Sequence, residues 1–232
     1  MEVRNKRMGN IRTAVSHERR DFLKAGVAMA AAPFIAGMAS TVLSSEAQAA
    51  RNNAPGKKIL IISASPRANS NSDALCDRFM RGAQASGHHV EKIRLSEQNI
   101  DHCTGCLACI HNPGSCVLED DMAEIHEKML AADIMVLATP VYFHMMNGRM
   151  KVFIDRVCPI YTMIRDKDVY FAVSCAGGSS QVESSVESLR VFTRSFSGVK
   201  DKGVMAVTGA WDEGAAKDSP AFEQAYTMGR NA

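Results

Sequence analysis

Short apolar runs and helix-period segments alternate five times between residues 58 and 229, and this alternation restricts the fold more than any other feature. Ile59-Leu60-Ile61-Ile62 is a continuous apolar run, as expected of a strand buried on both faces. Ser70 to Ser86 sets Leu75, Phe79 and Met80 on the inner side of a helix that stops at Gly87. Val90 to Leu95 alternates and predicts a second strand. Asp120 or Asp121 then caps a helix whose apolar stripe is Met122, Ile125, Met129 and Leu130. Ile134 to Ala138 predicts a third strand, ended by Thr139-Pro140, and Gly148 to Val157 a helix through Met150, Phe153, Ile154 and Val157. A strand over Val169 to Cys175, a helix over Gln181 to Phe196, a strand over Val204 to Val207 and a helix from Ser219-Pro220 to Met228 complete the series. Such alternation means a parallel sheet with helices on both faces. Five units suit either common doubly wound order, with ligands at the carboxyl ends of the strands beside the switch point.

The 232 residues suit one domain or a small two-part chain, and an apolar fraction of 46% allows a sizeable core. A net charge of +2 without a basic–aromatic face gives no case for nucleic acid. The chain shows neither a Ser/His/Asp arrangement nor H-E-x-x-H, so there is no case for a hydrolase. Much of the positive excess lies in Arg4, Lys6, Arg7, Arg12, Arg19, Arg20 and Lys24. Glu18-Arg19-Arg20-Asp21-Phe22-Leu23-Lys24 resembles the twin-arginine export signal, with Glu18 where Ser or Thr is favoured. A mildly apolar stretch from Ala25 to Leu43 and an A-x-A site at Ala47-Gln48-Ala49 follow in the expected order. Pro33, Gly26 and Gly37 weaken the rival reading as a membrane anchor. Residues 1–49 therefore read as a signal peptide, 50–57 as a polar linker and 58–232 as the folded domain, with a periplasmic or otherwise exported product and no stable membrane span after cleavage.

Between the second strand and the following helix stand Cys103, Cys106, Cys109 and Cys116, spaced two, two and six residues apart. Four thiolates on one loop select iron–sulfur or zinc over hard cations. The first three match the C-x2-C-x2-C run of cluster-binding ferredoxins. A [4Fe–4S] cluster, structural zinc, a disulfide pair formed in an oxidising compartment and a free buried cysteine group all suit the spacing. Zinc more often uses two knuckles separated by more chain, which favours the cluster. Cys76, Cys158 and Cys175 fall in or beside predicted elements and read as small core residues. His102 and His111 flank the loop and read as solvent-facing or as hydrogen-bond donors near a metal. His144 lies in the loop after the third strand, either as a donor to a ligand there or as a surface histidine. Capping explains Glu119, Asp120 and Asp121 better than catalysis does.

Three further loops follow strands at their carboxyl ends. Ser63 to Ser72 lacks G-x-G-x-x-G and the Walker lysine, but its hydroxyls, amide, guanidinium and helix start suit a phosphate monoester, or simply a well-capped turn. Thr139 to Gly148 is aromatic and methionine-rich, fit to cover a flat ligand or to pack as a hydrophobic loop. Ala176-Gly177-Gly178-Ser179-Ser180 lets backbone approach a ligand, or turns freely.

Ser65-Pro66-Arg67-x-x-Ser70-Asn71-Ser72 resembles the phosphate loop of the NADPH-dependent FMN reductase family, which commonly reads G-S-P-R-x-x-G-N-T. Thr139-Pro140-Val141-Tyr142-Phe143 and Lys151-Val152-Phe153-Ile154-Asp155-Arg156 are similar to that family's S-P-V-Y-F and K-x-F-I-D-R. The cysteine loop, closed by Cys116 to Met122, resembles the iron–sulfur flavoprotein branch. The resemblance covers roughly residues 58 to 229 and implies an α/β flavodoxin-like fold, a five-stranded doubly wound parallel sheet of order 2-1-3-4-5 in three α/β/α layers. It implies FMN as cofactor, with Ser65, Arg67, Ser70, Asn71 and Ser72 on the phosphate and Pro140, Val141, Tyr142, Phe143, Gly177 and Gly178 flanking the isoalloxazine. It further implies a [4Fe–4S] cluster on Cys103, Cys106, Cys109 and Cys116, close to the flavin across subunits of a homodimer or dimer of dimers. The expected activity is electron transfer between cluster and FMN, with a redox protein or small-molecule acceptor as partner. The alternatives are an NAD(P)H-dependent FMN or quinone reductase without a cluster and a non-catalytic flavin- or zinc-binding module.

Overall fold

The computed structural model describes residues 56–232, so the export signal and most of the linker expected before residue 58 lie outside the described residues. The strands are β1 (Lys58–Ser63), β2 (His89–Arg94), β3 (Ile134–Tyr142), β4 (Met145–Met146), β5 (Asp168–Ser174) and β6 (Lys200–Val207). The helices are α1 (Asn71–Ala85), α2 (Ala108–His111), α3 (Met122–Ala131), α4 (Gly148–Arg156), α5 (Ser179–Thr193) and α6 (Pro220–Arg230). Five strands form one parallel sheet of order β2-β1-β3-β5-β6, while β4 hangs from the end of β3 as an antiparallel hairpin. With that two-residue strand set aside, the order is the expected 2-1-3-4-5, and the fold is flavodoxin-like in three α/β/α layers. No described helix is long and apolar enough to cross a membrane.

Alternating side chains of the strands feed two cores. Leu60, Ile62, Met135, Leu137, Phe171 and Val173 meet α3, α4 and α5 through Ile125, Met129, Phe153, Val186 and Leu189. Ile59, Ile61, Ile134, Val136, Tyr170 and Ala172 meet α1 and α6 through Leu75, Phe79, Ala221 and Ala225. Burial on both faces is what the unbroken apolar runs of β1 and β3 require.

Two boundaries differ instructively from the sequence pattern. β3 runs through Thr139-Pro140 to Tyr142: the lost proline N–H falls near the strand end, where Pro140 is still in register with Ser174 and the chain then turns into β4. The turn places Phe143 and His144 at positive φ (47° and 68°). β6 begins four residues before the predicted Val204, because its polar start, Lys200-Asp201-Lys202, pairs at the sheet edge without being buried.

α1 and α6 pack closely because two glycines meet the opposing backbone. A Cβ on Gly82 would overlap the Tyr226 carbonyl, and one on Gly229 the Phe79 carbonyl. Alanine in a helix interior normally gains up to about 1 kcal/mol over glycine. Here the overlap dominates, and Gly82→Ala is expected to destabilise the domain by about 1–3 kcal/mol, read as a lower urea midpoint with unchanged slope.

Candidate functional site

At the carboxyl ends of the strands, four loops enclose a cleft lined by Ser65, Arg67, Ser70 and Asn71 after β1, Pro140, Val141 and Tyr142 on β3, Ser174, Cys175 and Ala176 after β5, and Ala210, Trp211 and Glu213 after β6. This is where a doubly wound sheet binds ligands. A separate hollow lined by Lys58, Leu60, His89, Glu91 and Lys128 lies at the amino ends of β1 and β2, on the opposite edge of the sheet.

Local hydrogen bonds set the shape of the phosphate-loop wall. Ser70 is the N-cap of α1 and accepts from the Asp73 N–H, which fixes the helix start against the cleft. The Ser65 hydroxyl accepts from the Arg67 N–H and tightens the turn between them. Asn147, only 2% exposed, joins three segments: its amide donates to the Ala64 carbonyl (2.6 Å), its carbonyl accepts from the Met150 N–H as N-cap of α4, and its own N–H donates to the Thr139 hydroxyl. The end of β1, the end of β3 and the start of α4 therefore meet at one residue, the first and last through its side chain and β3 through its backbone N–H.

The structure divides the sequence-predicted cofactor residues. Ser65, Arg67, Ser70, Asn71, Pro140, Val141 and Tyr142 line the cleft. Ser72 is fully buried with its hydroxyl 3.3 Å from that of Ser70, facing inward. Phe143 is fully exposed at the hairpin tip, with exposed His144 beside it. Gly177 and Gly178 lie just past the lining residues, where Gly177 donates to the Cys175 sulfur and accepts from the Gly209 N–H. The side chain of Asn71 is already committed: its amide donates to the Ala210 and Asp212 carbonyls and its carbonyl accepts from the Ala216 N–H. Sequence reasoning missed the Ala210–Glu213 wall, which Asn71 staples to α1; an exposed lone tryptophan at a strand's carboxyl end was the available signal.

The cysteine loop sits on the α4 side of the sheet. Gly105 and Leu107 adopt positive φ (68° and 61°) on either side of Cys106, and the short helix α2 carries Cys109. Cys103 and Cys106 are exposed, Cys109 and Cys116 half-buried. Hydrogen bonds from the Ala108 N–H and the Thr104 side chain lower the Cys106 pKa from its ordinary value. Cys76 and Cys175 are buried, as expected of core residues. Cys158 is not: it is exposed in the turn after α4, 3.7 Å from Cys109. The apolar face of α4 ends at Val157, which turns the next side chain outward. Partial desolvation on its loop-facing side, the hydrogen bond with Cys109 and the neighbouring thiols Cys109, Cys103 and Cys116 raise the Cys158 pKa. His102 and His111 are exposed, and among the described residues no three His, Cys, Asp or Glu side chains converge to hold an ion in this conformation.

Both ends of the loop are fixed by Arg156, the last residue of α4. Its guanidinium donates to Asp120 through both terminal nitrogens (2.5 and 2.9 Å), to the Asp101 carbonyl (2.8 Å) and to the Cys116 sulfur (3.5 Å). Its carbonyl accepts from His126 Nε2 on α3, a ring whose pKa burial lowers. Asp120 also accepts from the Asp101 and Met122 N–H groups, so its capping contact is secondary to an ion pair in which both side chains are 1% exposed. Asp121 holds the backbone cap position of α3 but makes no cap bond, because its carboxylate accepts from the Asn99 N–H. Burial works to raise the Asp120 pKa, but Arg156 and the two amides outweigh it and hold the carboxyl below the ordinary carboxylate range. A depressed folded pKa contributes stability above the unfolded value of about 4, and that stability is lost as pH falls through the folded value. Asp120→Ala, which leaves the guanidinium buried and uncompensated, is expected to cost about 3–5 kcal/mol in urea unfolding at neutral pH. Asp120→Asn is expected to flatten the decline of stability with acid below about pH 4.

The model of the NADPH-dependent FMN reductase family matches residues 57–214. An iron-sulfur flavoprotein of Archaeoglobus fulgidus is 38% identical over 102 residues, 44% of this chain and 46% of that protein. One of Methanosarcina thermophila is 35% identical over 99 residues, 43% of this chain and 51% of that protein. The chain thus spans about half the length of these relatives. An NAD(P)H:quinone oxidoreductase from Methanothermobacter marburgensis superposes with a TM-score of 0.62 at 19% identity, covering 76% of this chain and 96% of that one. An azoreductase from Bacillus anthracis superposes with a TM-score of 0.60 at 15% identity, covering 76% of this chain and 100% of that one. These two likenesses concern the fold, whereas the family model takes in β1 through the Trp211 wall, every segment that lines the cleft, and the chain belongs to the NADPH-dependent FMN reductase family.

Proposed function

We propose that the protein is an exported iron–sulfur flavoprotein that passes electrons between FMN in the carboxyl-end cleft and a [4Fe–4S] cluster on Cys103, Cys106, Cys109 and Cys116. The observation that carries it is the pairing of that cleft with a four-cysteine loop anchored by Arg156 on the same sheet. The cleft fits an FMN phosphate: Ser65, Arg67 and Ser70 ring the start of a helix long enough to favour an anion, and Asn71 and Ser72 offer backbone N–H groups there. Pro140, Val141 and Tyr142 line the same cleft as Trp211 and offer apolar surface for an isoalloxazine. The four thiols fit an iron–sulfur centre by number and type, and the Arg156 guanidinium donates to the Cys116 sulfur. When bound, FMN exchanges electrons singly or in pairs and an iron–sulfur centre one at a time, so together they would join one-electron carriers to a two-electron acceptor. The twin-arginine segment supports export with cofactors already inserted, and with it a redox protein or small molecule, rather than a reduced nicotinamide, as partner. Intersubunit proximity of the two cofactors in a homodimer or dimer of dimers belongs to the same reading.

A specific observation favours a second reading, an NAD(P)H-dependent flavin or quinone reductase without a cluster: Cys109 points at Cys158 rather than toward a shared centre. Anaerobic purification followed by iron, sulfide, zinc and FMN analysis separates the readings. FMN with about four iron and four sulfide per chain is expected. FMN without iron, with turnover of NADH or NADPH, would establish the second reading, and zinc without flavin a binding module.

Two measurements test the cleft itself. The chain's one tryptophan, Trp211, lines it, so FMN titration is expected to quench the protein's indole emission saturably. Arg67→Ala is expected to weaken FMN about tenfold to a hundredfold, the loss of one hydrogen bond to a charged group.

A further inference from the structure

Cys158 has no part in the four-cysteine spacing, yet the structure brings it to the loop. The Cys109 thiol donates to the Cys158 sulfur at 3.7 Å, although 49 residues separate the two in sequence. No other thiol–thiol hydrogen bond forms among the described residues. The approach is held by neighbours on both sides. The Gly114 N–H donates to the Pro159 carbonyl at 2.8 Å, one residue beyond Cys158. Gly114 takes a left-handed φ of 89°, and a Cβ there would reach only the Met163 sulfur, so the loop lies against the segment after α4. Arg156, two residues before Cys158, holds Cys116 and both ends of the loop. Cys158 is exposed and therefore reachable by a small reagent, while Cys109 is half-buried behind it.

We propose that Cys109 and Cys158 are a reversible dithiol–disulfide pair that closes when the loop holds no metal. The sulfurs must approach by somewhat under about 2 Å to reach bonding distance, a side-chain and loop-tip adjustment rather than a movement of the sheet. The chemistry is exchange with a small-molecule disulfide. One protein thiolate attacks a sulfur of the reagent, forming a mixed disulfide and expelling one small thiolate. The second protein thiolate attacks the protein sulfur of that mixed disulfide and expels the other. The two protein thiols lose two protons and two electrons; the reagent's disulfide bond takes up both pairs and leaves as two small thiols. A sulfur bonded to Cys158 is no longer a thiolate, so closure withdraws Cys109 from any ligand set. That consequence rests on the proposed cluster; the pairing itself does not.

The sequence makes the test direct. Trypsin releases residues 95–128, with Cys103, Cys106, Cys109 and Cys116, and residues 157–165, with Cys158 alone. The full chain is purified with a chelator, reduced, equilibrated anaerobically across a series of oxidised to reduced glutathione ratios, quenched with acid and alkylated before digestion. The expected product is a disulfide joining the two peptides, assigned to Cys109 by fragmentation, rising with the glutathione ratio and reversed by dithiothreitol. It is expected to vanish in Cys109→Ser and to persist in Cys103→Ser and Cys116→Ser. The proposal is overturned if Cys158 is alkylated at every ratio, if it ends as a stable glutathione adduct, if disulfides form only within residues 95–128, or if the linked species survives in Cys109→Ser. Circular dichroism and melting of each serine variant show that it is folded. Because the chain is metal-free throughout, a negative result leaves the cluster proposal standing, and an absence of iron in the native protein leaves the pair standing.

Discussion

The buried pair between Arg156 and Asp120 is the interaction on which the organisation of the cysteine side depends. Surface pairs such as Lys151–Asp155, both well exposed, contribute a few tenths of a kcal/mol at most. Arg156 and Asp120 are each 1% exposed, and two charges so deeply placed are tolerated only with close geometry and further hydrogen bonds. Those bonds go to the segments entering and leaving the loop: the Asp101 carbonyl and N–H on one side, Met122 and Cys116 on the other. A long polar excursion between β2 and α3 is thereby fixed at its base while its tip remains open.

The cleft is organised by neutral amides. Asn147 joins β1, β3 and α4, and Asn71 joins α1 to the loop after β6. Each uses both ends of its amide, so its side chain is held in place from two sides. Lining and support overlap in Asn71, which borders the cleft beside Arg67 and Trp211 while its side chain sets the spacing of the walls; Asn147 gives support alone.

Much of the fold was legible because both sheet faces are covered, which turns strands into unbroken apolar runs and sets helices apart by their period. The less legible parts are those where burial does not report structure. The polar start of β6 forms ladder bonds at an edge, and β4 is only two residues long. In the site, the phosphate-loop wall and β3 wall were readable from hydroxyls and aromatics at strand ends. The Ala210–Glu213 wall was not, because its position is decided by Asn71 more than 130 residues away. Cys158 was misread for a related reason. The helical stripe of α4 ends one residue before it, and hydropathy cannot tell the last inward position from the first outward one. Asp120 was read as a cap because the partner that outweighs capping comes 36 residues later.

The glycine contact between α1 and α6 bears on the order of events during synthesis. Arg78 of α1 and Glu223 of α6, 145 residues apart, meet across this contact, and both helices cover the same face of the sheet. The helix whose start forms the phosphate wall stays without its packing partner until residues 220–230 have left the ribosome. A ribosome-bound nascent chain would present the wall only in an incomplete, poorly buttressed form. The phosphate wall is thus completed only once α6 has packed on α1, so whatever binds there meets a folded body rather than an extended thread.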